Sequence, residues 1–280
     1  MNTKKIVLVS GCMAVQDRAK KNIVQDDVYH WRMKKEIFVA YGINIDFPII
    51  TYRDLIDCFP KVKEFCGLNA VDLMVFQVRS HDYLSNTSYK KKAPKVADDG
   101  DITPVNKKGR QNLYQKLFGW YRKIKLHLKS KETGFYKVLL RSLRLISRNL
   151  IRPLLLVLGM TKNNHKKVER KYENLLVDID EYCAKEGIPV VYLGVTSRPN
   201  SYIENLICKR LNTRMSQFIT SMGGTYIDIF GKYDDESNYK FVRGTDVPDQ
   251  ICLNAVGHKE VANKLMVEVK EIALPLEQLA

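Results

Sequence analysis

Apolar residues fall along this chain in short runs, separated by longer stretches with helical spacing. The first run, Ile6-Val7-Leu8-Val9, ends in Ser10-Gly11-Cys12. It predicts a strand buried on both faces that turns into a helix over 13–23. Asp26 or Asp27 can cap a second helix running through Tyr41, with Gly42 as its stop. Residues 44–50 read as a second strand, and Pro48 near its end predicts an edge position. A short helix over 52–65 follows, then a third buried strand over 72–78 that runs out into Arg79-Ser80-His81-Asp82. The regular pattern returns with a helix over 167–186, closed by Gly187, and a strand over 188–195. After these come a helix over 201–222 stopped by Gly223-Gly224, a short strand over 225–230, a loop over 231–253 and a last helix over 255–272.

Strands alternating with helices imply βαβ crossovers and a parallel sheet covered on both faces. The expected fold is α/β, a flavodoxin-like three-layer α/β/α sandwich with about five parallel strands. Two separated stretches, 1–84 and 165–280, build it, and a basic, mostly helical insertion over 85–164 interrupts it.

The insertion has its own pattern. Lysine runs, Pro94, Pro104, Gly100 and Gly109 mark its first part as a loop. Leu113, Leu117, Trp120, Tyr121, Ile124 and Leu128 then recur at helical spacing, and Phe135, Leu139, Leu143, Ile146 and Leu150 form a second stripe. Arg141, Arg144, Arg148 and Arg152 share one side of that second helix. Pro153 breaks the pattern, and no apolar run reaches the roughly 18 residues of a membrane span.

Charge sharpens this division. The chain carries 46 Lys and Arg against 31 Asp and Glu, a net of +15. Between Lys90 and Lys167 there are 21 basic and 4 acidic residues, a net of +17, so the remaining residues carry −2. The excess positive charge therefore belongs to one segment. Basic amphipathic helices with Trp120 as an interfacial anchor suit an anionic membrane surface. Packing of these helices on the sandwich or in an oligomer interface is the structural alternative, and a polyanionic glycan is a third. Nucleic acid is not the expected partner, because no recognised nucleic-acid motif accompanies the charge.

The six cysteines show no CxxC spacing, and Met1-Asn2-Thr3-Lys4-Lys5 leads straight into the first strand without a secretory pattern. A reduced, cytoplasmic setting is expected, peripheral to the inner membrane face if the insertion binds lipid. Cys12 stands at the head of a helix, where the dipole favours a thiolate. A buried structural cysteine explains the same position.

Four stretches resemble the SGNH (GDSL-like) hydrolases in order and spacing. Lys5 to Cys12 lies on the family's first block, a strand ending in Gly-Asp-Ser. Asp72 to Asp82 lies on the block ending Gly-x-Asn-Asp, and Gly224 to Ile229 resembles the penultimate strand. Asp249-Gln250-Ile251-Cys252-Leu253-Asn254-Ala255-Val256-Gly257-His258 resembles the last block, Asp-x-x-His-Leu-Asn-x-x-Gly-His. The resemblance spans about 200 residues and leaves the insertion unmatched. It implies Cys12 in the nucleophile position and Asp249 in the place of the triad aspartate. It also puts Cys252 where the family has its catalytic histidine, His81 in place of the oxyanion-hole asparagine and Arg79 in place of the glycine. His258 matches a second, non-catalytic histidine.

A plain Ser-His-Asp esterase is therefore not expected. In the rewired reading, His81 generates the Cys12 thiolate, and Asp249 or Asp82 orients His81. Ser10, Arg79, Asp82 and Cys252 then surround the substrate or its oxyanion. The implied activity is an acyl esterase or O-acyltransferase acting on a glycan or lipid-linked glycan, as in cell-surface polysaccharide synthesis. The alternative is a catalytically degenerate binding or scaffolding protein of the same fold at an anionic membrane surface. No cofactor is expected. No metal is expected either, since Cys12, Cys252 and His81 lie far apart in sequence. Asp228 and Asp246 are candidate carboxylates for which loop capping is the commoner explanation. Ser197-Arg198-Pro199-Asn200 either touches substrate or precedes a helix cap at Asn200 or Ser201.

Overall fold

The computed structural model describes residues 3–10, 28–52, 54–80, 83, 165–198, 202–231, 239–241 and 248–273. The chain forms two compact units, Met1–Thr87 with Asn163–Ala280 and Ser88–Lys162, and every described residue belongs to the first. The helix expected over 13–23 and the whole of the expected insertion, with Trp120, Arg141, Arg144, Arg148 and Arg152, lie outside the described residues.

The first unit is built on a parallel sheet. Strand β1 (Thr3–Ser10) pairs on one side with two short strands, β2 (Asn44–Asp46) and β3 (Ile49–Thr51), and on the other with β4 (Leu73–Gln77). Strand β5 (Val190–Leu193) and strand β6 (Thr225–Ile227) continue the sheet beyond β4. All pairings within this sheet are parallel, as the crossover pattern predicts. The second strand expected over 44–50 is two pieces because Phe47 and Pro48 interrupt it. Proline has no N–H to give, but its carbonyl accepts from Leu8 N at 2.9 Å, so β1 keeps its partner across the break. Both pieces lie at the sheet edge, as Pro48 predicts.

Alternation within β1 sorts its side chains to two layers. Ile6 and Leu8 join Leu73, Val75, Val191 and Leu193 in one apolar cluster. Helices α1 (Tyr29–Tyr41) and α5 (Ala255–Ala273) cover it. Tyr29, Met33 and Ile37 recur every four residues on α1, and Val261, Leu265 and Val269 do so on α5. Each such fully buried side chain contributes roughly 1.5–3 kcal/mol relative to exposure. Phe76 and Tyr192 stand on the opposite face and meet edge-on, with ring centres 6.1 Å apart. Helices α2 (Cys58–Leu68), α3 (His165–Lys185) and α4 (Tyr202–Ser221) form the layer on that side. Tyr192 reaches Asp180 on α3 with its hydroxyl at 3.2 Å, and the Cys183 thiol lies 3.9 Å from Met74 Sδ.

Helix ends follow their stop signals. Gly42 takes φ 65° and its N–H donates to Phe38 O, while Gly187 and Gly223 take φ 68° and 81°. Two expectations need correction. The helix expected over 52–65 begins as a 3-10 turn, Leu55–Asp57, before α2 proper. The loop expected over 231–253 contains β7 (Tyr239–Phe241) and β8 (Pro248–Leu253), an antiparallel pair off the main sheet. Apolar residues are sparse there and Gly, Pro and Asp frequent, so the local pattern reads as loop while cross-strand pairing makes it a ribbon.

Candidate active site

Parallel strands end together, so the exits of β1, β4, β5 and β6 share the carboxyl edge of the sheet. Ser10 is the last residue of β1 and Gln77 the last of β4, neighbours across the ladder. Ser10 is 1% exposed, and its Oγ donates to Gln77 Oε1. The same Oγ hydrogen-bonds the hydroxyl of Tyr29 on α1. Tyr29 is fully buried, and its ring stacks on His258 of α5 at 5.9 Å with planes 10° apart. Burial raises the Tyr29 hydroxyl well above the ordinary tyrosine range, so it stays protonated. Gln77, Ser10, Tyr29 and His258 thus form a polar column through four elements, directly beneath the exit of β1. The Ser10 hydroxyl is buried and engaged inward, which holds the end of β1 in place.

Arg79, expected beside the substrate or its oxyanion, contacts Tyr52. Its guanidinium lies 3.5 Å over the Tyr52 ring, and Nη1 donates to Tyr52 O at 2.6 Å. Tyr172 Oη on α3 donates to Arg79 O at 2.8 Å. Arg79 therefore clamps the exit of β4 to the residue after β3. The apolar stem and planar cation of arginine fit a tyrosine face, and motif position alone does not reveal that use.

A second network joins the exits of β4 and β5. Arg198 Nη2 donates to Ser80 Oγ at 3.0 Å, and its backbone N–H donates to Asn205 Oδ1 on α4 at 2.9 Å. The Cys208 thiol of α4 hydrogen-bonds both Ser80 and Arg198. Burial pushes that thiol up to about 12, with Arg198 pulling the other way, so Cys208 is a neutral packing group. Of the 197–200 stretch, Ser197 is buried and Arg198 bridges two strand exits, whereas Pro199, Asn200 and the alternative cap Ser201 lie outside the described residues.

Asp228 caps its loop, the commoner of its two explanations. Oδ1 accepts from Phe230 N at 2.8 Å and from Asn212 Nδ2 at 3.0 Å. Asn212 was not singled out by sequence, yet it ties three elements. Its Oδ1 accepts from Tyr226 Oη at 2.6 Å and from Val195 N at 3.2 Å. Nothing in a lone asparagine on an amphipathic helix signals this, because its partners are more than ten residues away. Asp246 lies outside the described residues.

Asn254 stands where β8 hands over to α5. Its Oδ1 accepts from Val256 N at 3.0 Å and Gly257 N at 3.1 Å, and its carbonyl from His258 N at 2.9 Å. The last block therefore has a physical reason for its Asn and its second His: one caps the helix and the other fills the column on Tyr29. Asp249 and Cys252 lie on β8, with side chains outside what the structure describes. Cys12, His81 and Asp82 lie outside the described residues. No group of His, Cys, Asp and Glu among the described residues is arranged to hold a metal.

No family model and no curated protein matches the chain in sequence. Solved structures match it in three dimensions. TesA superposes with a TM-score of 0.52 at 8% identity, over 96% of this chain and 99% of its own. Axe2, an acetylxylan esterase from Geobacillus stearothermophilus, gives 0.52 at 8% identity, over 97% and 95%. LAE5, an alpha/beta hydrolase enzyme from the metagenome of Lake Arreo, gives 0.51 at 12% identity, over 94% of each chain. The fold is the SGNH-type hydrolase fold. In this chain the frame of the carboxyl edge is built from Ser10, Gln77, Tyr29, His258, Asn212 and Asp228.

Proposed function

We propose that this protein is an acyl esterase or O-acyltransferase of the SGNH type, acting on a glycan or lipid-linked glycan, with Cys12 as nucleophile. The observation that carries the reading is the setting of β1. It is an inner strand between β3 and β4, and it ends at Ser10, two residues before Cys12, on the edge where open parallel sheets bind ligands. The acylated glycan named for Axe2 supports the substrate class.

In this mechanism His81 takes the Cys12 thiol proton, and the thiolate attacks the ester carbonyl. The bond between the acyl carbon and the glycan oxygen breaks, and that oxygen leaves with the proton from His81. The acyl group stays on Cys12 as a thioester. Water then releases it as a carboxylic acid, or an acceptor hydroxyl takes it as a new ester. Asp249 or Asp82 orients His81.

An activated acyl ester applied to the full chain tests this. The proposal expects acid release and covalent acylation in the wild type, with both lost in Cys12→Ala. Full turnover by Cys12→Ala sinks the nucleophile assignment. Binding of an acetylated glycan with no acid release from the wild type identifies a binding module of the same fold.

A further inference from the structure

Away from the carboxyl-edge frame, α3 and α4 enclose a groove of about 760 Å³ lined by Lys166, Glu169, Arg170, Glu173, Lys209, Arg210, Arg214 and their neighbours. That volume falls within the range of small-ligand sites, roughly 300–1,000 Å³. Two ion pairs cross between the helices. Arg210 Nε donates to Glu169 Oε1 at 2.9 Å, and Arg214 Nε to Glu173 Oε1 at 2.6 Å. The pairs are one turn apart on both helices, about 6 Å of rise. In each pair the carboxylate is the sheltered partner, at 10% and 14% exposure, and the arginine is half exposed, at 56% and 51%.

This asymmetry gives the groove its chemistry. Glu169 is held from behind by the buried Tyr83 hydroxyl at 2.6 Å. Tyr83, Glu169 and Arg210 make a relay from core to surface: Glu169 takes Arg210 Nε at 2.9 Å and Nη2 at 3.4 Å, and the guanidinium stays half exposed. Glu173 does the same for Arg214 through one bond. The two carboxylates are each matched by an arginine, which leaves Lys166, Arg170 and Lys209 without an ion pair among the described residues and gives the groove lining a charge of +3. Two pre-oriented guanidinium forks one turn apart, flanked by three further cations, fit two adjacent anionic groups better than one.

We propose that the α3–α4 groove binds a small soluble ligand through a diphosphate group, with Arg210 and Arg214 as the oriented donors and Lys166, Arg170 and Lys209 as the surrounding charge. Inorganic pyrophosphate is the probe. Titration calorimetry on the full chain is expected to show binding that weakens as salt rises. Arg170→Glu with Lys209→Glu removes cations that hold no ion pair among the described residues, so the described fold keeps its pairs, and affinity falls at least about tenfold. Glu169→Gln keeps the side-chain shape but frees Arg210, and affinity falls less, by several-fold. Circular dichroism confirms that each variant is folded. Equal pyrophosphate affinity in wild type and the Arg170→Glu/Lys209→Glu variant overturns the site, as does absence of binding by the wild type. Vesicles of equal parts phosphatidylcholine and phosphatidic acid form the second arm. Binding to them that pyrophosphate competes away and the double variant loses overturns the soluble-ligand assignment in favour of a lipid phosphate.

Discussion

Asn212 shows how much one polar side chain can organise at the sheet edge. It is 6% exposed, and its amide joins α4 to the exits of β5 and β6 through Val195, Tyr226 and Asp228. Gly194 is part of the same fit, since a Cβ there would lie 2.6 Å from Tyr226 Oη and 3.0 Å from Asn212 Oδ1. Asn212→Ala leaves buried polar groups without their partner, so a loss of about 2–4 kcal/mol is expected in urea unfolding. A loss below about 0.5 kcal/mol would show that water replaces the amide. Buried thiols set a second prediction. Burial raises both Cys183 and Cys208 from 9.0 to about 12. The folded state therefore holds them neutral after the unfolded chain has begun to ionise. Their contribution to stability is complete below about pH 9 and declines as pH rises towards about 12. Urea midpoints measured from pH 8 upward should fall, and the fall should be shallower in Cys183→Ala/Cys208→Ala. An unchanged slope in that variant would assign the alkaline loss to the buried tyrosines instead.

Elements with strong periodicity were legible because their burial is local in origin. The all-apolar runs in β1 and β4 and the stripes on α1 and α5 declare which faces are covered, and Gly42, Gly187 and Gly223 declare where helices stop. What was not legible depends on distant partners. β7 and β8 are defined by each other across a short ribbon, Val28 precedes α1 without a side-chain cap, and Arg79 stacks on Tyr52. The candidate site divides the same way. The last block could be located by spacing, but the reason for its Asn254 emerges only when the backbone of α5 is seen bonded to it. Asn254→Ala removes acceptors for two N–H groups at the start of α5 and should cost about 1 kcal/mol. Hydrogen exchange should quicken at Val256 and Gly257 and stay unchanged in the middle of the helix. Substitution by Asp should restore most of the stability, because a carboxylate caps the same amides.

At the scale of the whole molecule the decisive quantity is where charge is carried. The Ser88–Lys162 unit holds 19 basic and 4 acidic residues, a net of +15, while the remainder is neutral, so the chain carries its excess charge in one of its two units. Among the described residues no helix is long and apolar enough to cross a membrane. The attachment that the sequence predicts is to an anionic surface, through Arg141, Arg144, Arg148 and Arg152 with Trp120 as the apolar anchor. Each basic residue at an anionic surface contributes about 1 kcal/mol, so four acting together approach a thousandfold in affinity. Flotation with vesicles containing phosphatidylserine should recover the wild type, and pure phosphatidylcholine should not. Reversing the four arginines to Glu should abolish recovery, and so should 1 M salt, where the Debye length shrinks to about 3 Å. Trp120→Ala should weaken binding by a smaller factor that salt does not change, since that contribution is apolar. Pyrophosphate should leave flotation by this surface intact, which separates it from the groove between α3 and α4. Equal recovery on neutral and anionic vesicles would mean the insertion binds through its apolar stripes alone. Recovery on neither would return those stripes to packing within the protein or between its copies.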